Sequence, residues 1–335
     1  MVFKRLLGSL GVGGPTVDTV LDSGTPVPGG SLTGQVHLKG GNADTTIERI
    51  ALELVAQVEA EADGEEHEGA VTFERFPVSG GFRLTAGQQL DLPFRVALPW
   101  ETPVTTLHGQ SLGIVLGVRT ELAVSGAKDR GDLDPLAVGP LPAQQAILEA
   151  LGRLGFGFAS ADLEYGRIGG TGQRLPFYQE IELTPAPQYA YAMQELEVTF
   201  LAHPGGMEVV LEADKPAGLF SSGHEALTRF EVSHRESSGR DLTAEVDGWI
   251  RQLVASLGTR TGRTAYASAD SVDGRPHGVV HQGYGERRTG PGAGTAVAAG
   301  AAGLAVGVAG GLVAAEVIDE VGDFFEGDGE SSEEG

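Results

Sequence analysis

Alternation with a period of two is the feature that most limits how this chain can fold. Ile50, Leu52, Leu54, Ala56 and Val58 fall on one side of a pleated segment, while Glu53, Gln57 and Glu59 fall on the other. A segment patterned in this way lies as a strand with one face buried and one face wet. Residues 16–21, 32–38, 71–78, 90–98 and 112–124 show the same alternation or a β-rich composition. Between them stand turn formers such as Pro28-Gly29-Gly30, Gly40-Gly41-Asn42 and Ser79-Gly80-Gly81, which stop strands at regular spacing. Many short strands joined by tight turns favour antiparallel sandwiches over parallel sheets, because a parallel pair needs a long crossover.

The pattern restarts after a break. Residues 127–142 gather Asp129, Asp132, Asp134 and several Pro and Gly, and are read as a linker closing a first sandwich at 1–126. Ile147, Leu148, Leu151 and Leu154 then recur at helical spacing, giving a short amphipathic helix. Strands resume at 158–165, 177–183, 189–201, 207–213 and 228–233. The period changes to 3.6 over 241–254, with Leu242, Val246, Ile250 and Leu253 on one stripe and Asp241 placed to cap the start. A second sandwich is expected over 143–255. The chain of 335 residues has room for two such cores and a tail. The expected class is all-β: two antiparallel β-sandwich domains with one or two short helices. Residues 256–290, rich in Gly, Arg, Ser and His without apolar pattern, read as a flexible linker.

Charge and composition exclude several functions. The net charge of −23 repels phosphate backbones, so nucleic acid is not an expected partner. The absence of cysteine removes disulfides, thiolate metal sites and thiol nucleophiles. The apolar run near the start, Leu6, Leu7 and Leu10, is too short and too broken by glycine for a secretory core, and a cytoplasmic protein is expected.

No motif carries catalysis. Gly109-Gln110-Ser111-Leu112-Gly113 spells G-x-S-x-G, yet a strand rather than a helix is expected after it, and a plain turn is the better reading. Asp129, Asp132 and Asp134, with Asp162 and Glu164 further on, offer hard oxygen ligands, but their spacing fits no calcium loop and a solvated linker is expected. The acidic stretch 61–68, with Asp63, Glu65 and Glu66, reads as a solvated hairpin tip. His277 and His281 stand four apart without a helical pattern. Neither a phosphate-binding loop nor a dinucleotide fingerprint occurs, so no cofactor, no metal site and no catalytic residue is expected.

Scattered residues nonetheless resemble one family. Val17-Asp18-Thr19-Val20-Leu21, Pro28-Gly29, Gly34, Gly40-Gly41, Leu98-Pro99, Thr102-Pro103, Ile147-Leu148 and Leu154-Gly155-Phe156 occur in order, together with the most distinctive segment, Leu175-Pro176-Phe177-Tyr178-Gln179-Glu180. In this collinear set the chain resembles the bacterial sporulation-control family of SpoOM type, over about residues 1–255. The resemblance implies an arrestin-like scaffold without catalytic residues, active in sporulation, development or cell-division control. It implies protein partners of signalling, division or cytoskeletal kind.

The tail lies beyond that resemblance. Positions 289–315 carry no charge, and Ala299, Gly303, Gly307, Gly311 and Ala315 repeat at every fourth place. On a helix this makes a small-residue face, readable as a membrane anchor over 291–315, as a self-association zipper leading to a homo-oligomer, or as low-complexity linker. Beyond it, over 316–335, every charged residue is acidic, and Val317, Val321 and Phe324, with Phe325 beside it, form the apolar side of a candidate docking helix. The expected function is a non-enzymatic regulatory or adaptor protein. The alternative is a membrane-associated adaptor of trafficking or envelope-stress type, tethered through 291–315.

Overall fold

The computed structural model describes residues 13–62, 65–126, 129–214, 225–237 and 240–266. The first strands are β1 (Thr16–Leu21), β2 (Ser31–Lys39), β3 (Thr45–Ala62), β4 (Glu65–Ser79), β5 (Phe82–Leu84) and β6 (Gln89–Ala97). There follow the short β7 (Thr106–Leu107) and β8 (Gln110–Ser111), then β9 (Leu116–Val124) and β10 (Arg130–Pro135). After helix α1 (Pro142–Leu154) come β11 (Gly157–Tyr165), β12 (Phe177–Thr184), β13 (Glu195–His203), β14 (Gly206–Asp214) and β15 (Glu225–Ser233). The helices α2 (His234–Ser237) and α3 (Thr243–Tyr266) follow. The class is all-β, as the alternation requires.

The first half is a sandwich. A three-stranded sheet in the order β1-β2-β6 packs on the strands β10-β9-β3, with β4 and β5 also paired to β3. Leu32, Val36 and Leu38 of β2 meet Ile50, Leu52 and Leu54 of β3 and Val118 and Leu122 of β9, all buried. Each such side chain is worth roughly 1.5–3 kcal/mol once removed from water, so this seam holds the two layers together. Residues 127–142, expected to be a linker, contain β10, paired along its length with β9. Asp132 accepts a hydrogen bond from the Thr19 amide at 2.6 Å and fastens β10 to β1. An aspartate in a loop-like run thus closes the sandwich.

The large sheet does not end with the first half. β11 joins β3 by a parallel bridge at Glu164 and Glu59, and β11 to β15 continue as an antiparallel meander. One face of this second half is covered by helices: Ile147 and Leu151 of α1 and Val246, Ile250 and Leu253 of α3 bury against Ile181, Val198, Val209 and Leu211. Pro142 opens α1 and the Gln144 side chain accepts the Leu141 amide at 2.8 Å. Gly155, at φ 98°, ends it in a conformation that costs glycine little. Asp241 accepts the Thr243 amide at 2.9 Å, as its capping position implies. α3 continues to Tyr266, past the expected end at 254 and into the stretch read as a linker.

The two halves exchange side chains. Leu163, Leu175 and Phe177 from the second half bury in the first core, where Phe177 meets Phe73 edge to face with ring centres 5.4 Å apart. In return Val27 and Trp100 pack against the second core. Trp100 lies over Gly29, where a Cβ would fall 2.5 Å from the indole, and stacks on His234 at 5.3 Å. The Gln179 side chain donates to the Val104 carbonyl at 2.8 Å and accepts the Val104 amide at 2.9 Å. Glu101 accepts the amides of Arg174 and Leu175 at 2.8–2.9 Å.

Candidate functional site

The face of the second half that α1 and α3 leave uncovered is built from alternate residues of β11 to β14. These residues are acidic to an unusual degree. Strand register sets Asp162 opposite Glu180, Glu182 opposite Glu197, and Glu197 opposite Glu212. Glu164 stands opposite Glu59 where the halves join. Like charges directly across a ladder destabilise a sheet, so the arrangement is costly to the fold. The outer face of the first half alternates sign instead: Glu53 is bonded by Arg119 and Arg75, and Glu121 by Arg49 and Arg75.

Within the acidic strip, Asp162, Glu164 and Glu180 each offer a carboxylate oxygen, and these atoms all lie within 4.8 Å of one another. All three side chains are half-buried. Burial, followed by the negative charges of Glu197, Asp162, Glu164 and Glu212, pushes the Glu180 carboxyl up to about 9. Glu180 therefore carries a proton at neutral pH, which lowers the charge of the group. Burial and Glu180 also push the neighbouring Tyr178 hydroxyl upward. Three carboxyl groups are hard oxygen donors of the kind that calcium or magnesium takes, and an ion held there would need water to complete its shell.

One end of the strip is closed. Ile168 packs with Tyr178, Leu201 and Val210 in a small apolar cluster. The loop carrying it is held by Gln173, whose amide nitrogen donates to the carbonyls of Gly166 at 2.8 Å and Leu175 at 2.9 Å. Arg229 of β15 donates to the carbonyls of Gly169 and Gly170.

The structure sorts the residues singled out in the sequence. Asp162 and Glu164 come together with Glu180, while Asp132 is engaged with Thr19, so the acidic residues named as oxygen donors do not form one set. Ser111 stands exposed in β8, paired to β7 across a turn formed by His108 and Gly109, both at positive φ. Its hydroxyl oxygen accepts the Gly113 amide at 3.2 Å, and the motif is a hairpin rather than a strand-to-helix elbow. The segment Leu175 to Glu180 divides its work by alternation. Leu175 and Phe177 fill the first core, Gln179 clasps Val104, and Glu180 enters the acidic strip. Ala299, Gly303, Gly307, Gly311 and Ala315, and likewise Val317, Val321, Phe324 and Phe325, lie outside the described residues, as do His277 and His281. Among the described residues no helix is long and apolar enough to cross a membrane.

The chain has relatives among known proteins. A family model described as SpoOM protein matches residues 3–217. The chain belongs to the SpoOM family. The sporulation-control protein spo0M of Bacillus subtilis (strain 168) is 36% identical over 253 residues, which is 73% of this chain and 95% of that protein. The crystal structure of Spo0M, sporulation control protein, from Bacillus subtilis superposes with a TM-score of 0.63 at 30% identity, covering 73% of this chain and all of that one. Membership in the SpoOM family accounts for the collinear residues from Val17 to Glu180.

Proposed function

We propose that this chain is a non-enzymatic regulator that acts by binding protein partners in the control of sporulation, development or cell division. The observation that carries this reading is the similarity, over 73% of this chain and 95% of the relative, to a protein named as a sporulation-control protein. Two structural features support it. The halves are joined by exchanged side chains and by the Gln179 clasp, which suits a scaffold that presents surfaces in fixed relation. The acidic strip retains like-charge pairs that a sheet selected for stability alone would replace.

The one hydrolase-like motif supplies the test. The purified full-length protein is expected to turn over neither ester nor nucleotide substrates. A strain lacking the gene is expected to regain normal sporulation or division timing equally well from the wild-type gene and from Ser111→Ala. Turnover that disappears in Ser111→Ala, with loss of complementation, overturns the reading.

A further inference from the structure

Every sheet edge is a row of backbone donors and acceptors that can pair with another chain, and proteins blunt such edges with proline, bulges, charges or covering segments. β4 carries Pro77 and pairs with β3 through two register shifts. β6 has Pro93 near its middle. β10 ends at Pro135 and is covered by β1 through Asp132. Of these devices, β15 carries charges, in Arg229 and Glu231, but neither proline nor bulge. It is without proline, pairs with β14 in unbroken register from Gly206 opposite Ser233 to Asp214 opposite Glu225, and stands last in its sheet. Among the described residues, no backbone hydrogen bond joins residues 226–232 to anything but β14.

The chemistry beside this edge is defined on both faces. On the outer face, exposed Glu231 of β15 stands opposite Glu208 of β14, and exposed Leu227 stands opposite Glu212. The one arginine there, Arg229, is already engaged with the Gly169 and Gly170 carbonyls and with Glu208 at 3.7 Å. On the inner face, half-buried Phe230 stacks on Trp249 of α3 with ring centres 4.8 Å apart, offering an apolar wall at the sheet margin.

We propose that a partner binds at the β15 edge by adding an extended segment as the next strand, with Lys or Arg at alternate positions over the acidic face and apolar residues between them against Phe230. Backbone pairing supplies the affinity of such additions and alternate side chains supply the choice of partner. A second copy of this chain fits less well, because antiparallel pairing centred on Arg229 sets two arginines opposite each other. The chain's own end fits less well too, since the charges of 316–335 are all acidic.

The proposal rests on the protein-binding reading above and is tested apart from it. A synthetic heptapeptide alternating Lys or Arg with Val is titrated into the full-length protein, and hydrogen exchange is followed on the complex. Saturable binding with protection across 226–232 is expected. Affinity should fall about ten-fold in Glu231→Lys, and binding should be lost when alternate peptide nitrogens are methylated. Equal binding of the methylated peptide, unchanged affinity in Glu231→Lys, protection elsewhere, or a dimer of this chain occupying β15 overturns it. Should a protein captured by the full-length chain bind undiminished while the peptide fails, the edge assignment falls and the protein-binding reading stands. If neither binds, both fall.

Discussion

At the scale of single residues, Glu180 is where the fold concedes most to the acidic strip. Its carboxyl is pushed up to about 9, above the ordinary glutamate value near 4.5. The folded protein thus binds a proton that the unfolded chain releases over most of that range. Stability from this group is complete below about pH 4.5 and is lost as pH rises through about 9. Glu180→Gln, which keeps shape and removes ionisation, is expected to flatten that decline. At pH 8 to 9 it should raise the melting temperature by about 2–4 °C, the shift a gain on the order of 1 kcal/mol gives a protein of this size. Melts of both proteins from pH 5 to 9 check it; parallel curves would refute it. Thr228 makes a second case. Its hydroxyl oxygen is buried without a hydrogen-bond partner among the described residues, so Thr228→Val should stabilise by about 1 kcal/mol in denaturant unfolding.

At the scale of elements, β12 joins the two halves and carries part of the acidic strip. Phe177→Ala would open a cavity in the first core although the residue sits in a second-half strand, at a cost of about 3–5 kcal/mol in urea unfolding. Gln179→Ala removes both bonds to Val104 and should cost about 1–3 kcal/mol. The strands themselves were largely legible: residues 16–21 coincide with β1 and most other runs lie within a strand, but the runs 112–124 and 189–201 start early, since β9 begins at Leu116 and β13 at Glu195. What was not legible has physical causes. β10 contains Gly131 and two aspartates and reads as a loop, yet tertiary pairing with β9 and the Thr19 amide hold it extended. α3 runs on to Tyr266 through Gly and Thr residues of low helix propensity. The acidic strip could be read one strand at a time, since Asp162 and Glu164 alternate as do Glu180 and Glu182. Which glutamate stands opposite which depends on register, and register is set by turns and core packing rather than by composition.

At the scale of the whole molecule, one extended sheet runs from the sandwich of the first half into the helix-backed meander of the second, bridged at Glu59 and Glu164. That continuity gives β15, the last strand of the sheet among the described residues, and the clasp at Gln179 fixed positions in a single framework. On the function proposed above, this framework works by holding another protein. The most direct measurement is a binding isotherm between the purified full-length chain and a protein captured with it in cells. Saturable, stoichiometric binding in the absence of any substrate turnover is the expected result. Failure of every captured protein to bind the purified chain saturably would rule out a protein-binding role.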